Sequence, residues 1–153
     1  MKKRTILTCL VVVIITATLA FIFSNSLESV SESSEKSENV MGIITPALEL
    51  FVGKGNVTDH LVRKIAHFIE FATLGCELAV LCVLRWHINL QSYINCLFIG
   101  LAFAVTDEAL QLISNRGSQV QDILLDFVAA TAGVSVVTIV CLIFISITRK
   151  KIH

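Results

Sequence analysis

The chain has 153 residues and a formal net charge of zero, and 55% of its residues are hydrophobic, with a mean hydropathy of +0.81. Soluble domains contain about 45–50% apolar residues even when glycine is counted, so the composition excludes an ordinary soluble domain. The sequence also lacks the alternation of apolar and polar residues that marks a membrane β-barrel. We therefore predict an all-α membrane protein.

Four apolar stretches are long enough to cross a bilayer, because about twenty helical residues span its hydrocarbon core. We place these spans at residues 6–23, 61–84, 93–113 and 123–147, which predicts a bundle of four transmembrane helices. The first stretch is longer than the apolar run of a signal peptide, which has about 7–15 residues. Residues 1–23 are therefore expected to remain in the protein as an N-terminal transmembrane anchor.

The connection between the first two spans, residues 24–60, is rich in Ser and Glu and is predicted to be an outer loop. Its first part is expected to be solvated, as either a disordered segment or a frayed helix. Residues 40–52 are apolar but too few for a span, which favours a short interfacial or re-entrant segment. The remaining chain divides into a three-helix membrane core at 61–148 and a basic tail at 149–153.

The distribution of basic residues near the span ends predicts the orientation of the chain. Basic residues lie at three span ends: residues 2–4 precede the first span, Arg85 follows the second, and residues 149–151 follow the fourth. The 24–60 loop is acidic and poor in Lys and Arg. We therefore expect a multi-pass protein with both termini in the cytoplasm.

Charged side chains lie inside apolar segments, where each ionised group costs at least about 2.5–3.5 kcal/mol. Three of the four spans carry such residues at a similar depth below the outer surface. We therefore expect the charges to meet in one outward-facing polar site. The candidate site residues are Arg63, His67, Glu70, Asp107, Glu108, Gln111, Arg116, Asp122 and Asp126.

The second and third spans should be in contact through these residues, because an unpaired charge at this depth is unfavourable. We expect His67 or Glu70 to lie within about 4–6 Å of Asp107 or Glu108.

Some of the candidates also have purely structural interpretations. Asp122 is of a residue type that caps helix N-termini, and Arg63 is of a type that anchors a span at the membrane interface. Lys64 points away from the arc of the other residues and is expected to extend to the headgroups. His67 and Glu70 could form a structural pair that joins helices.

Four motifs follow one another along the chain. They are Phe23-Ser24-Asn25-Ser26; Arg63-Lys64-x-Ala66-His67-Phe68-x-Glu70-Phe71 with Leu74-Gly75; Thr106-Asp107-Glu108-x-x-Gln111; and Arg116-Gly117-Ser118 followed by Asp122, Asp126 and Gly133. In this order they resemble the VanZ-like family of small bacterial membrane proteins, over most of the chain. The chain differs from many family members at three places. They often have Ser-Gln where this chain has Asn25-Ser26, Asn where it has Asp126, and Gly where it has Ala129.

The resemblance implies a protein of the bacterial cell membrane. The founding member of the family is associated with low-level resistance to teicoplanin, so the implied role is cell-envelope handling or response to glycopeptide antibiotics. Two other functions stay open. One is an enzyme that acts on a lipid-linked or cell-wall substrate at the outer leaflet, with His67 as base or nucleophile. The other is a small proton-coupled transporter.

The expected partners are the membrane and a lipid or cell-wall-related ligand. No nucleic acid is expected to bind, and the sequence leaves open whether the protein forms an oligomer. No cofactor and no metal is expected, because Lys and Arg accompany the acids. A metal held by His67, Glu70 and Asp107 is the alternative to this expectation.

Overall fold

The structure, a computed structural model, describes residues 2–85, 89–114, 117 and 119–150. The regular structure within these residues is helical throughout: α1 (Lys2–Ser26), α2 (Val30–Val52), α3 (Asp59–Arg85), α4 (Leu90–Ile113) and α5 (Val120–Lys150). Four of the helices, α1, α3, α4 and α5, are long and apolar enough to cross a membrane. The predicted all-α fold with four transmembrane helices is therefore confirmed.

The connection between α1 and α3 forms a single helix, α2, where the sequence suggested two separate parts. A capping box explains its start: Ser29 Oγ accepts from the Glu32 N–H, and the Glu32 carboxylate accepts from the Ser29 N–H. The hydrogen bond from the Ser29 side chain holds the pKa of Glu32 below its usual value. Gly53 ends the helix with a φ of 85°, a conformation that favours glycine.

The transmembrane helices pack around α3, which contacts α1, α4, α5 and also α2. Buried apolar side chains fill the space between them, including Ile22 of α1, Phe71 and Leu74 of α3, Ala104 of α4 and Val134 of α5. Large apolar side chains on the outer faces stay exposed, as expected for helices surrounded by lipid. The division of the chain into anchor, loop, core and tail stays a prediction.

Two glycines allow α3 and α5 to approach until their backbones touch. A Cβ atom on Gly75 would lie 2.1 Å from the Ala130 carbonyl oxygen, and one on Gly133 would lie 2.0 Å from the Ala72 carbonyl oxygen. No side chain fits at such distances, so this crossing depends on small residues, as in many membrane helix pairs. Both glycines belong to the motifs that carry the family resemblance.

Candidate functional site

Polar side chains from α3, α4 and α5 converge at one end of the bundle, which we call the α2 end because α2 connects helices there. His67 Nδ1 lies 3.7 Å from Asp107 Oδ2 and 3.9 Å from Asp126 Oδ1. His67 is half-buried, whereas Asp107 is 0% and Asp126 1% exposed. The predicted contact between the second and third spans is therefore present.

The glycine crossing explains why His67 and Asp126 lie at the same depth. The chain passes back and forth through the bundle, so α3 and α5 run in the same direction from the α2 end. His67 precedes Gly75 by eight residues and Asp126 precedes Gly133 by seven, about two helical turns in each case. Because the two backbones touch at the glycines, the two polar side chains face each other at one level.

Asp107 is held by hydrogen bonds from two further residues. Ser26 Oγ donates to Asp107 Oδ1 at 2.5 Å, and Gln111 Nε2 donates to Asp107 Oδ2 at 2.9 Å. Ser26 is fully buried, and its carbonyl oxygen accepts from Ser114 Oγ at 2.9 Å. The last turn of α1 therefore forms part of this polar cluster. Ser26 was not among the candidate residues, although it lies in the motif after the first span.

Asp126 differs from Asp107 in its surroundings. Both of its carboxylate oxygens are buried and have no hydrogen-bond partner among the residues that the structure describes. Buried polar groups in proteins almost always have a partner, and an isolated buried charge is strongly unfavourable. His67, at 3.9 Å, is too distant to donate a hydrogen bond to Asp126. An ionised Asp126 therefore requires a further positive charge nearby.

Glu70 and Glu108 bind to the ends of neighbouring helices. Glu108 Oε1 accepts from the Gln119 N–H at 2.5 Å, just before α5 begins. Glu70 Oε1 accepts from Asn25 Nδ2 at 3.2 Å, near the end of α1. Both acids belong to the polar cluster, and these contacts favour a role in joining the helices.

The two basic residues of α3 each lie beside an acid. Arg63 Nη2 is 2.7 Å from Asp59 Oδ2 within the same helix, and Lys64 Nζ is 3.1 Å from Asp122 Oδ1 on α5. Lys64 therefore links two helices, where the sequence suggested that it extends to the headgroups. Asp122 lies inside the first turn of α5, past the position of a helix cap.

A cavity of about 200 Å³ opens beside this cluster at the α2 end. Its lining combines the basic side chains of Arg63 and Lys64 with His67, Gln111 and the buried Asp126. A second cavity of about 290 Å³, beside α1 and α2, shares Arg63 and His67 with the first. The remaining candidate, Arg116, lies outside the described residues.

This arrangement defines a multi-pass membrane protein with a buried His–carboxylate cluster open to a small polar cavity. The family model described as VanZ/LLP1 matches residues 7–144, nearly the whole chain. The chain therefore belongs to the VanZ/LLP1 family, and the resemblance found in the sequence is confirmed. No curated protein and no solved structure matches the chain.

Proposed function

We propose that this VanZ-like protein binds a lipid-linked or cell-wall-related ligand in the cavity at the α2 end, at the outer leaflet of the bacterial cell membrane. The proposed role is cell-envelope handling, including response to glycopeptide antibiotics of the teicoplanin type. The observation that carries the proposal is the cavity that Arg63, Lys64, His67 and Asp126 line together. The basic side chains of Arg63 and Lys64 favour phosphate and carboxylate oxygens.

The size of the cavity limits what enters it. Pockets for drug-sized molecules have volumes of about 300–1,000 Å³, whereas this cavity holds about 200 Å³. A phosphate or another part of a headgroup fits that space, but a glycopeptide antibiotic does not. The proposal is therefore that the protein acts on an envelope component, and that any effect on the antibiotic is indirect.

The orientation in this proposal follows from the charges at the two ends of the bundle. Arg4 and Arg85 lie at the end opposite to α2, where the Arg4 guanidinium donates to the Leu84 carbonyl. The acidic helix α2 lies at the other end. The positive-inside tendency therefore favours an outward-facing cavity.

An enzymatic function is the second candidate, and the position of His67 favours it. A carboxylate beside an imidazole orients the ring and stabilises its protonated form, as in many general bases. Asp107 lies 3.7 Å from His67 Nδ1, and His67 lines the cavity. In this version His67 would activate a water molecule or a hydroxyl group of a lipid-linked substrate.

A resistance assay with measured protein levels tests the proposal. The chain is expressed in a teicoplanin-susceptible Gram-positive host, and the inhibitory concentration is compared for the unaltered protein, Asp107→Asn and Glu77→Gln. Glu77 is a matched control, because it is an acid of α3 that accepts from Thr18 Oγ1 at 2.8 Å and lines neither cavity.

We expect the unaltered protein and Glu77→Gln to raise the inhibitory concentration, and Asp107→Asn to return it to the empty-vector value at similar abundance. No effect of the unaltered protein would refute the antibiotic role. Full resistance per molecule in Asp107→Asn and in His67→Ala would show that the cluster is only structural.

A further inference from the structure

We propose that His67, Asp107 and Asp126 bind a divalent transition-metal cation, with Zn²⁺ as the first ion to test. The three side chains supply one imidazole nitrogen and two carboxylate oxygens. Imidazole nitrogen and carboxylate oxygen both bind zinc, and zinc sites that also contact a substrate have three protein ligands and a fourth position left open. The sequence predicted that no metal binds, whereas the positions of these three side chains favour one.

The positions of the ligand atoms fit an ion after a small adjustment. One ligand atom from each of the three residues lies within 4.8 Å of the other two. His67 Nδ1 is 3.7 Å from Asp107 Oδ2 and 3.9 Å from Asp126 Oδ1. Bonds of 2.0–2.1 Å in a tetrahedron place ligand atoms about 3.4 Å apart. Side-chain movements of less than an ångström would therefore close the site.

The buried carboxylate of Asp126 also favours a bound cation. Its side chain is 1% exposed, lines the cavity, and has two buried oxygens without a hydrogen-bond partner in the described part of the chain. The nearby cations Arg63 and Lys64 are paired with other acids, Asp59 and Asp122. A bound cation would supply the charge that two adjacent buried carboxylates require.

Asp107 also has the supporting contacts expected of a metal ligand. Ser26 and Gln111 donate to its two oxygens, which fixes the orientation of the carboxylate while lone pairs remain for an ion. Such contacts are usual around metal ligands and contribute to affinity. The matching positions of His67 and Asp126 come from the close crossing of α3 and α5 at Gly75 and Gly133.

A metal ion at this site would also contribute to binding of the ligand in the proposed function. His67 and Asp126 line the cavity, so the open position of the ion would face it. A phosphate or carboxylate oxygen of the ligand would then bind the ion directly. This last step rests on the proposed function, whereas binding of the ion alone does not.

Metal binding is measured on the full chain, purified in detergent with an affinity tag that contains no histidine and then stripped with a chelator. Zn²⁺ is added back, and the bound metal is counted by mass spectrometry after gel filtration. We expect about one Zn²⁺ per chain and a higher melting temperature with the ion, because ligands stabilise the state that binds them. His67→Ala and Asp126→Asn should lose at least about tenfold in affinity, and Glu77→Gln should not.

X-ray absorption of the Zn²⁺-loaded unaltered protein identifies the ligands without any variant. We expect nitrogen and oxygen neighbours only. Sulphur neighbours would assign the ion to some of the five cysteines and overturn the proposal, as would failure of the unaltered protein to bind Zn²⁺. Equal affinity in a folded Asp126→Asn variant would overturn it too. Because this assay uses no antibiotic and no envelope ligand, its result is independent of the resistance assay.

Discussion

Asp107 connects the helices at the α2 end more directly than any other candidate residue that the structure describes. Ser26 reaches it from α1, His67 from α3 and Gln111 from its own helix, α4. Hydrogen bonds to charged groups contribute about 1.5–3 kcal/mol each, more than those between neutral groups. A buried carboxylate with these partners stabilises the packing of three helices and holds His67 next to the cavity at the same time.

Replacement of Ser26 by alanine tests the contribution of α1 to the cluster. Ser26→Ala removes the 2.5 Å hydrogen bond to Asp107 and leaves a buried carboxylate oxygen with fewer donors. We expect the free energy of unfolding to fall by about 1–3 kcal/mol, measured by denaturation in detergent micelles. A double-mutant cycle with Asp107→Asn should give a coupling energy of about 0.5–3 kcal/mol.

Ser24→Ala is the matched control, because Ser24 is exposed and donates to the Phe21 carbonyl of its own helix. It should change the stability by no more than about 0.5 kcal/mol. Equal effects of the two substitutions would contradict the assigned role of Ser26.

The residues of the cluster differ in how far the sequence reveals them. His67 and Asp107 stand out because ionisable residues in an apolar span are costly and need partners. Ser26 carries no such signal, since serine is uncharged and is found mostly at protein surfaces. Its burial depends on the packing of α1 against α4, which no local pattern contains. The pairing of Lys64 with Asp122 likewise depends on the distance between α3 and α5.

The α3–α5 pair is the element that positions the site. Its close crossing depends on Gly75 and Gly133, which lie against the backbones of Ala130 and Ala72. Bulkier residues would separate the helices and move His67 away from Asp126. Small residues at a helix contact therefore determine where polar side chains lie two turns away from the crossing.

The loss of stability caused by replacing a glycine with alanine should be larger where less space surrounds that glycine. Gly75→Ala and Gly133→Ala place Cβ at 2.1 and 2.0 Å from a backbone oxygen, Gly100→Ala places it 3.1 Å from the Ala130 Cβ, and Gly42 has open space. We expect losses of about 1–3 kcal/mol or more at Gly75 and Gly133, a smaller loss at Gly100, and no loss at Gly42. Thermal unfolding in detergent measures the series. A loss at Gly42 as large as at Gly133 would show that the helix contact is not the cause.

Helix α2 shows what composition alone misses at the level of an element. Its first half is rich in Ser and Glu, which predicts a solvated segment. The Ser29-x-x-Glu32 capping box is the local signal for a helix start, and it precedes an uninterrupted helix as far as Val52. The transmembrane helices were easier to predict, because length and hydropathy are sufficient for them. Their ends extend past the apolar runs because backbone hydrogen bonding continues into polar residues.

At the scale of the whole molecule, the proposed binding of an envelope ligand depends on which side of the membrane the α2 end faces. The cavity, the His–carboxylate cluster and α2 all lie at that end, so one measurement of orientation places them together. Basic residues at the opposite end, including Arg4 and Arg85, favour a cytoplasmic location for it. An envelope ligand outside the cell reaches the cavity only in this orientation.

Labelling of introduced cysteines with a membrane-impermeant reagent tests the orientation in intact cells. The five native cysteines are first replaced, and a single cysteine is then introduced at Asn39 on α2 or at Gln91 near the start of α4. Both positions are exposed, whereas Ser33 of α2 is buried and therefore unsuitable. We expect Asn39→Cys to be labelled in intact cells and Gln91→Cys only after permeabilisation. The reverse pattern would place the cavity on the cytoplasmic side, and the ligand would then have to be sought among cytoplasmic headgroups and precursors.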